Sequence, residues 1–312
     1  MKEKKPKSLA TAIFRIGTGV PLARIALVAD LHDRPYAEVV RALKQQKPDL
    51  IAIAGDLMEK FMPDDIEEML ADLDEEHQGS PAWKKALYRL LVKADVIYGR
   101  LSGKREREGG DENAYALLRA AADIAPVYYA LGNHERFLAV EDRQRIAATG
   151  AVLLDNASAR LCLPQCDLLI GGMSSRYQKG WLEAFSSQRR QEPGFVRGLP
   201  VLKVLICHHP EYYERFVKGK DVDLVLSGHA HGGQWRFGNR GLFAPGQGFF
   251  PKYTGGLYEN KLVVSRGLAN TAHVPRVNNP PELVMVEILS ENDPAGLRPP
   301  QPQAAWQASR LR

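Results

Sequence analysis

At 312 residues, with 45% hydrophobic and 25% charged side chains, the chain has the composition of a soluble globular protein and can bury a full core. A net charge of +5 suits an anionic substrate or a membrane surface but gives no special support to nucleic-acid binding, which needs many Lys and Arg contacts. The three cysteines, Cys162, Cys166 and Cys207, form no CxxC pair and point to a reducing compartment, and no run reaches the ~18 apolar residues of a spanning helix.

Residues 1–8 read as a basic, solvated tail. Ile13 to Val20 reads as an edge strand, and Arg24 to Ala29 as a short apolar strand that ends at Asp30. Tyr36 to Gln46 has helical spacing, with Val39, Val40 and Leu43 on one face, and Pro48-Asp49 breaks it. Leu50 to Ala54 is a second apolar run and ends in Gly55-Asp56. This strand–helix–strand rhythm is that of an α/β sheet.

The texture changes between about residues 61 and 123. An acidic stretch precedes an amphipathic segment, Pro81 to Tyr98, with Trp83, Leu87, Leu90 and Leu91 on one side. A charged break and an alanine-rich helix, Glu112 to Ala122, follow. The whole is long for a connection between neighbouring strands and reads as a helical insertion. Pro126 to Leu131 is a third strand, leading into Gly132-Asn133-His134-Glu135, and a helix from Val140 stops at Gly150. Short strands are expected at Val152–Leu154, Ala159–Leu163 and Leu168–Gly171, with loop and helix from Ser174 to Arg197. Val201 to Cys207 runs into His208-His209-Pro210, and Val222 to Leu226 into Ser227-Gly228-His229-Ala230-His231. Lys261–Ser265 and Glu282–Ile288 complete the sheets, so one domain spans 1–290 and the Pro-, Gln- and Ala-rich 291–312 reads as a disordered tail.

Five apolar runs therefore end in metal-ligand residue types: Asp30 and His32, Asp56, Asn133 and His134, His208, and His229 and His231. In α/β sheets ligands bind beyond the carboxyl ends of strands, so the topology would gather these side chains at one edge. Taken singly, each has a structural reading as a loop or cap residue. The set holds carboxylates, imidazoles and one amide but no thiolate, which suits Mn, Fe or Zn in an open catalytic site. It offers too many ligands for one ion and about enough for two sharing a bridging carboxylate, roughly 3.5–4 Å apart.

In order, Asp-x-His, Gly-Asp, Gly-Asn-His-Glu, His-x-Pro and Gly-His-x-His resemble the signature of the calcineurin-like metallophosphoesterases. Gly228–Gln234, Leu242–Gly248, Pro251–Tyr258 and Val264–Leu268 resemble the bacterial YaeI- and YkuE-type branch of that family. The resemblance implies a four-layer α/β/β/α sandwich with a dinuclear site between sheet ends. It implies Asp30, His32 and His231 on one cation, Asn133, His208 and His229 on the other, and Asp56 bridging. It places His134 off the metals, serving the leaving group, and its His-x-Pro pattern selects His208 over His209.

The implied reaction is hydrolysis of phosphate esters, most readily phosphodiesters, by in-line attack of a hydroxide shared by the cations. Alternatives are pyrophosphate hydrolysis of a UDP-linked lipid such as UDP-2,3-diacylglucosamine, and a non-catalytic scaffold of the same fold. Arg266 after a strand is a candidate for a substrate oxyanion, with a structural pairing to a carboxylate as the other reading. Trp235, Phe249 and Phe250 are expected to pack, because large apolar side chains default to the core. The compartment is read as cytoplasmic, with the lysine-rich start suited to peripheral contact with the inner membrane face.

Overall fold

The computed structural model describes residues 9–60, 111–136, 138–175, 178–188, 199–244, 247–269 and 276–290, and scattered positions between 70 and 93. The basic start, most of the expected insertion and the C-terminal tail lie outside the described residues.

In chain order, β1 (Ala10–Ile16), β2 (Pro21–Val28), β3 (Leu50–Ala54), β4 (Val127–Ala130) and β5 (Val152–Leu154) belong to a first sheet. Next come β6 (Ala157–Cys162), β7 (Asp167–Met173), β8 (Val201–Cys207) and β9 (Leu224–Ser227) in a second. Two small hairpins follow: β10 (Arg236–Phe237) with β11 (Arg240–Gly241), and β12 (Phe243–Ala244) with β13 (Gly248–Phe249). The chain returns to the second sheet as β14 (Gly256–Tyr258) and β15 (Leu262–Val264), then to the first as β16 (Glu282–Leu289). The orders are β1-β16-β2-β3-β4-β5 and β14-β15-β9-β8-β7-β6. From β2 to β5 and from β7 through β8 and β9 to β15 neighbouring strands are parallel.

The side-chain alternation of β3 explains the layering. All five residues are buried, but Ile51 and Ile53 join one apolar cluster while Leu50, Ala52 and Ala54 join another. The second cluster also takes Leu168 and Ile170, Val204 and Ile206, and Leu224 and Leu226 from the opposite sheet, so it is the core between sheets. On the outer face of the first sheet lie α1 (Ala37–Gln46), α2 (Glu112–Ala122) and α3 (Val140–Ala148). On the outer face of the second sheet, α4 (Lys179–Ser187) buries Leu182 and Phe185. The result is a four-layer α/β/β/α sandwich.

Two expectations shift. The edge strand expected at Ile13 to Val20 begins at Ala10 and ends at Ile16, because Gly17 turns with φ 93°. The insertion expected over 61–123 ends before Asp111. Ala114, Tyr115, Leu117, Leu118 and Ala121 of α2 are buried in the core of the first sheet, so that helix belongs to the sandwich. Trp83 and Leu90, expected on an apolar face, are both exposed.

Candidate metal centre

The loops after β2, β3, β4, β8 and β9 meet at the carboxyl ends of both sheets. Their approach is enforced by backbone bonds: Asp30 N–H donates to Gly55 O (3.1 Å), His32 N–H to Asp56 O (3.0 Å) and Gly228 N–H to His208 O (3.0 Å). The turns are tight enough that Asp30, His32, Asp56, His229 and His231 all take φ between 45° and 66°. Non-glycine residues rarely adopt this left-handed conformation, and it gathers where function over-determines the backbone. Gly132 has an ordinary φ, yet only glycine fits there, since a Cβ would lie 2.1 Å from Asp56 Oδ1.

The carboxylates are each half anchored. Asp30 Oδ1 accepts the His229 N–H (3.0 Å), and Asp56 Oδ1 accepts the His134 N–H (3.0 Å). The second oxygens face inward. Asp56 Oδ2 lies 3.2 Å from His208 Nε2, 3.8 Å from His32 Nε2 and 3.9 Å from His134 Nε2. His208 Nε2 is also 3.1 Å from Asn133 Oδ1 and 3.1 Å from His229 Nδ1. Because His208 Nδ1 donates to Ala54 O (2.6 Å), Nε2 is the nitrogen turned toward these three atoms. Asp30, His32 and His231 form a second group whose ligand atoms lie within 4.8 Å of one another. There His231 Nδ1 lies 3.3 Å from Ala269 O and 3.2 Å from Arg276 Nη2, and His32 Nδ1 donates to Glu59 Oε1 (2.8 Å), so both Nε2 atoms face inward.

Buried polar atoms ordinarily find partners, and Asp30 Oδ2 and His32 Nε2 have no hydrogen bond. Such orphans, beside converging O and N donors, fit divalent cations. The electrostatics agree. Burial raises the Asp30 carboxyl above the ordinary range. Burial opposes the Asp56 charge too, but His208 and His134 outweigh it and hold that carboxyl well below its usual value. Burial, helped by neighbouring imidazoles, keeps His229 and His231 neutral, the form that ligates metals.

The eight residues Asp30, His32, Asp56, Asn133, His134, His208, His229 and His231 are thus brought together. Arg266 is not part of the cluster. Its Nε donates to Glu282 Oε2 (2.6 Å) and its backbone N–H to Glu282 Oε1 (2.8 Å), both residues being buried. This is the structural pairing to a carboxylate. His209 bonds Ser175 Oγ (2.9 Å) and Glu211 Oε1 (3.1 Å), and its ring lies 4.3 Å from that of His229, so it neighbours the cluster.

The sequence reading missed two carboxylates. Glu59 grips His32 Nδ1 with one oxygen and His134 Nδ1 (2.9 Å) with the other. Burial works against a charged His134, yet the Asp56 and Glu59 carboxylates outweigh it and raise its pKa to about 10. Glu135 is fully buried and accepts the N–H groups of Asp56 (2.8 Å), Met58 (2.9 Å) and Gly132 (2.7 Å). Its place in Gly-Asn-His-Glu was the available signal for it; Glu59, three residues past Asp56, carried none beyond proximity.

Comparison with known proteins agrees with the geometry. The family model described as calcineurin-like phosphoesterase matches residues 23–233. The uncharacterized protein YpbG of Bacillus subtilis is 26% identical over 73% of this chain and 80% of its own length. Phosphodiesterase YaeI of Escherichia coli is 27% identical over 55% of the chain and 62% of its own length. The uncharacterized metallophosphoesterase YkuE of Bacillus subtilis is 25% identical over 81% and 72%.

Proposed function

Because the chain belongs to the calcineurin-like phosphoesterase family, and so is a hydrolase of phosphoric esters, we propose that it cleaves phosphodiesters at a site for two divalent cations. The observation that carries this reading is the meeting of Asp56 Oδ2, Asn133 Oδ1 and His229 Nδ1 around His208 Nε2, with the Asp30 group beside it. When bound, Mn, Fe or Zn ions there would acidify a water and neutralise charge on phosphate oxygens. Asp30, His32 and His231 would hold one ion, Asn133, His208 and His229 the other, and Asp56 Oδ2 would serve both. A scaffold without activity has no need of so complete a donor set.

The remaining chemistry belongs to His134. Its Nδ1 is fixed by Glu59, and its side chain is about a quarter exposed, so Nε2 can reach a substrate entering from solvent. Held protonated by Asp56 and Glu59, it can give its Nε2 proton to the departing alkoxide. General-acid help of this kind is worth about 10²–10⁴-fold.

The test is metal analysis of the purified protein, with hydrolysis of an aryl monoester, an aryl diester, a cyclic nucleotide and a UDP-linked diacyl lipid. Chelation is expected to abolish activity and divalent metal to restore it, with the aryl diester preferred to the monoester. Full activity in metal-free protein would overturn the reading. A preference for the UDP-linked lipid would move the substrate to a pyrophosphate.

A further inference from the structure

The segment that leaves His231 carries aromatic side chains that the fold does not bury. Trp235, Phe249 and Phe250, expected to pack, are 39%, 51% and 81% exposed, and Phe237 is 71% exposed. Among the described residues these three are the exposed phenylalanines.

They lie on two adjoining hairpins. Leu242 N–H donates to Trp235 O, and Phe250 N–H donates to Leu242 O (2.8 Å), so the two hairpins lie side by side. Val277, 43% exposed, joins through its bridge to Trp235. Phe237 and Arg240 face each other at the end of the β10–β11 hairpin. Monomeric proteins rarely leave contiguous aromatic patches in water without an interaction to serve.

Charge indicates what covers it. No Asp or Glu occurs from Gly232 to Tyr258 or from Arg276 to Pro281, while Arg240 stands exposed at the hairpin tip. Lys252 is nearby and is ion-paired with Glu214. An aromatic rim that carries an exposed arginine and no acid in its own segments suits the interfacial layer of an anionic bilayer, where Phe and Trp settle at headgroup depth. No helix among the described residues is long and apolar enough to cross a membrane, so such contact would be peripheral. We propose that the rim of Trp235, Phe237, Arg240, Phe249 and Phe250 docks the protein onto an anionic lipid surface. Since Gln234 directly follows the His231–Gly233 turn, docking would turn the metal centre toward that surface.

The test is co-sedimentation of the full chain with phosphatidylcholine vesicles with and without phosphatidylglycerol. Trp235 emission is followed in parallel, as the difference from a Trp235→Phe variant. Binding is expected to require phosphatidylglycerol and to weaken with salt. Phe237→Ser with Phe250→Ser is expected to lower partitioning about tenfold. Arg240→Ser is expected to lower it about fivefold, the worth of one surface cation. Both sites are exposed, so the variants should melt as the parent does. A variant with Lys2, Lys4, Lys5 and Lys7 changed to Gln separates the basic start from the rim and is expected to keep binding. No vesicle binding, equal binding to neutral vesicles, or loss confined to the lysine variant would overturn the proposal. So would concentration-dependent self-association that the serine variants abolish, which would make the rim an interface between copies.

Discussion

Glu135 offers the sharpest test of how the site is held. Its carboxylate accepts three buried backbone N–H groups, two on Oε2 from Asp56 and Gly132 and one on Oε1 from Met58. It thereby ties the loop after β3 to the loop after β4, and with them Asp56 to Asn133. In Glu135→Gln the amide oxygen can keep the two bonds at the Oε2 position. The NH₂ group must then face the Met58 N–H, donor against donor. One buried N–H left unsatisfied costs about 1–3 kcal/mol. Glu135→Ala would strand all three, about 3–9 kcal/mol on the same scale, which approaches the whole stability of a typical domain. The glutamine variant is therefore the informative one.

At roughly 2–4 °C per kcal/mol, Glu135→Gln should lower Tm by several degrees. It should also retain less metal after dialysis, because the backbone that aims Asp56 has lost one of its anchors. Urea melts and elemental analysis read the two effects separately. A variant with the parent's melting curve and full metal content would show that these N–H groups find other acceptors at no cost, and the tie would be refuted.

Other changes follow from the same geometry. His134→Ala should keep metal and lose about 10²–10⁴-fold in rate on a diester with a poor leaving group, an effect that shrinks with an aryl leaving group. Arg266→Ala should destabilise by about 3–5 kcal/mol, because it leaves Glu282 buried without its partner, while KM on the folded variant stays put. A raised KM at unchanged stability would restore Arg266 as a substrate contact. Lys60 Nζ lies 2.9 Å from both Asp111 and Asp142, and against the cost of burial it lowers the Asp142 carboxyl. A depressed carboxylate stabilises the fold above its unfolded pKa, about 3.9, and ceases to do so as pH falls through its lowered value. Lys60→Met should therefore be less stable than the parent at pH 7, the gap closing below about pH 4 in urea melts. Lys60 and Asp111 also bring the ends of the 61–110 stretch within ion-pair distance, 2.9 Å. Replacing that stretch by a short Gly-Ser linker should leave metal binding intact. If it caps the site, the deletion should alter turnover of a large diester more than that of a small aryl one.

The residues legible in the sequence were those whose role is announced locally. Val201–Cys207 is an apolar run apart from Lys203, and such a run in a parallel sheet must end at the edge where ligands gather, so His208 could be placed without knowing its neighbours. The same argument found Asp30, Asp56, Asn133 and His229. The residues that hold them in place were not legible, because their meaning lies in contacts across long stretches of chain. Glu59 meets His134 across 75 positions, and Glu135 meets Asp56 across 79. Arg266 was left with two readings for the same reason: whether a guanidinium after a strand pairs with a carboxylate depends on where Glu282, 16 residues on, enters the sheet.

The aromatic rim failed differently. The rule that large apolar side chains go inside rests on the free energy of removing them from water, about 25 cal/mol per Å², and it presumes a core within reach. Here the chain has just left the metal loop, where left-handed turns at His229, His231, Gly232 and Gly233 fix its direction. Two-residue strands then pair with each other, as hairpins outside both six-stranded sheets. Among the described residues no helix of the sandwich covers Phe237 or Phe250, which stay exposed. Backbone geometry demanded by the metal centre thus decides the fate of side chains several residues downstream. The cost of leaving them exposed in water is what a bilayer surface would relieve.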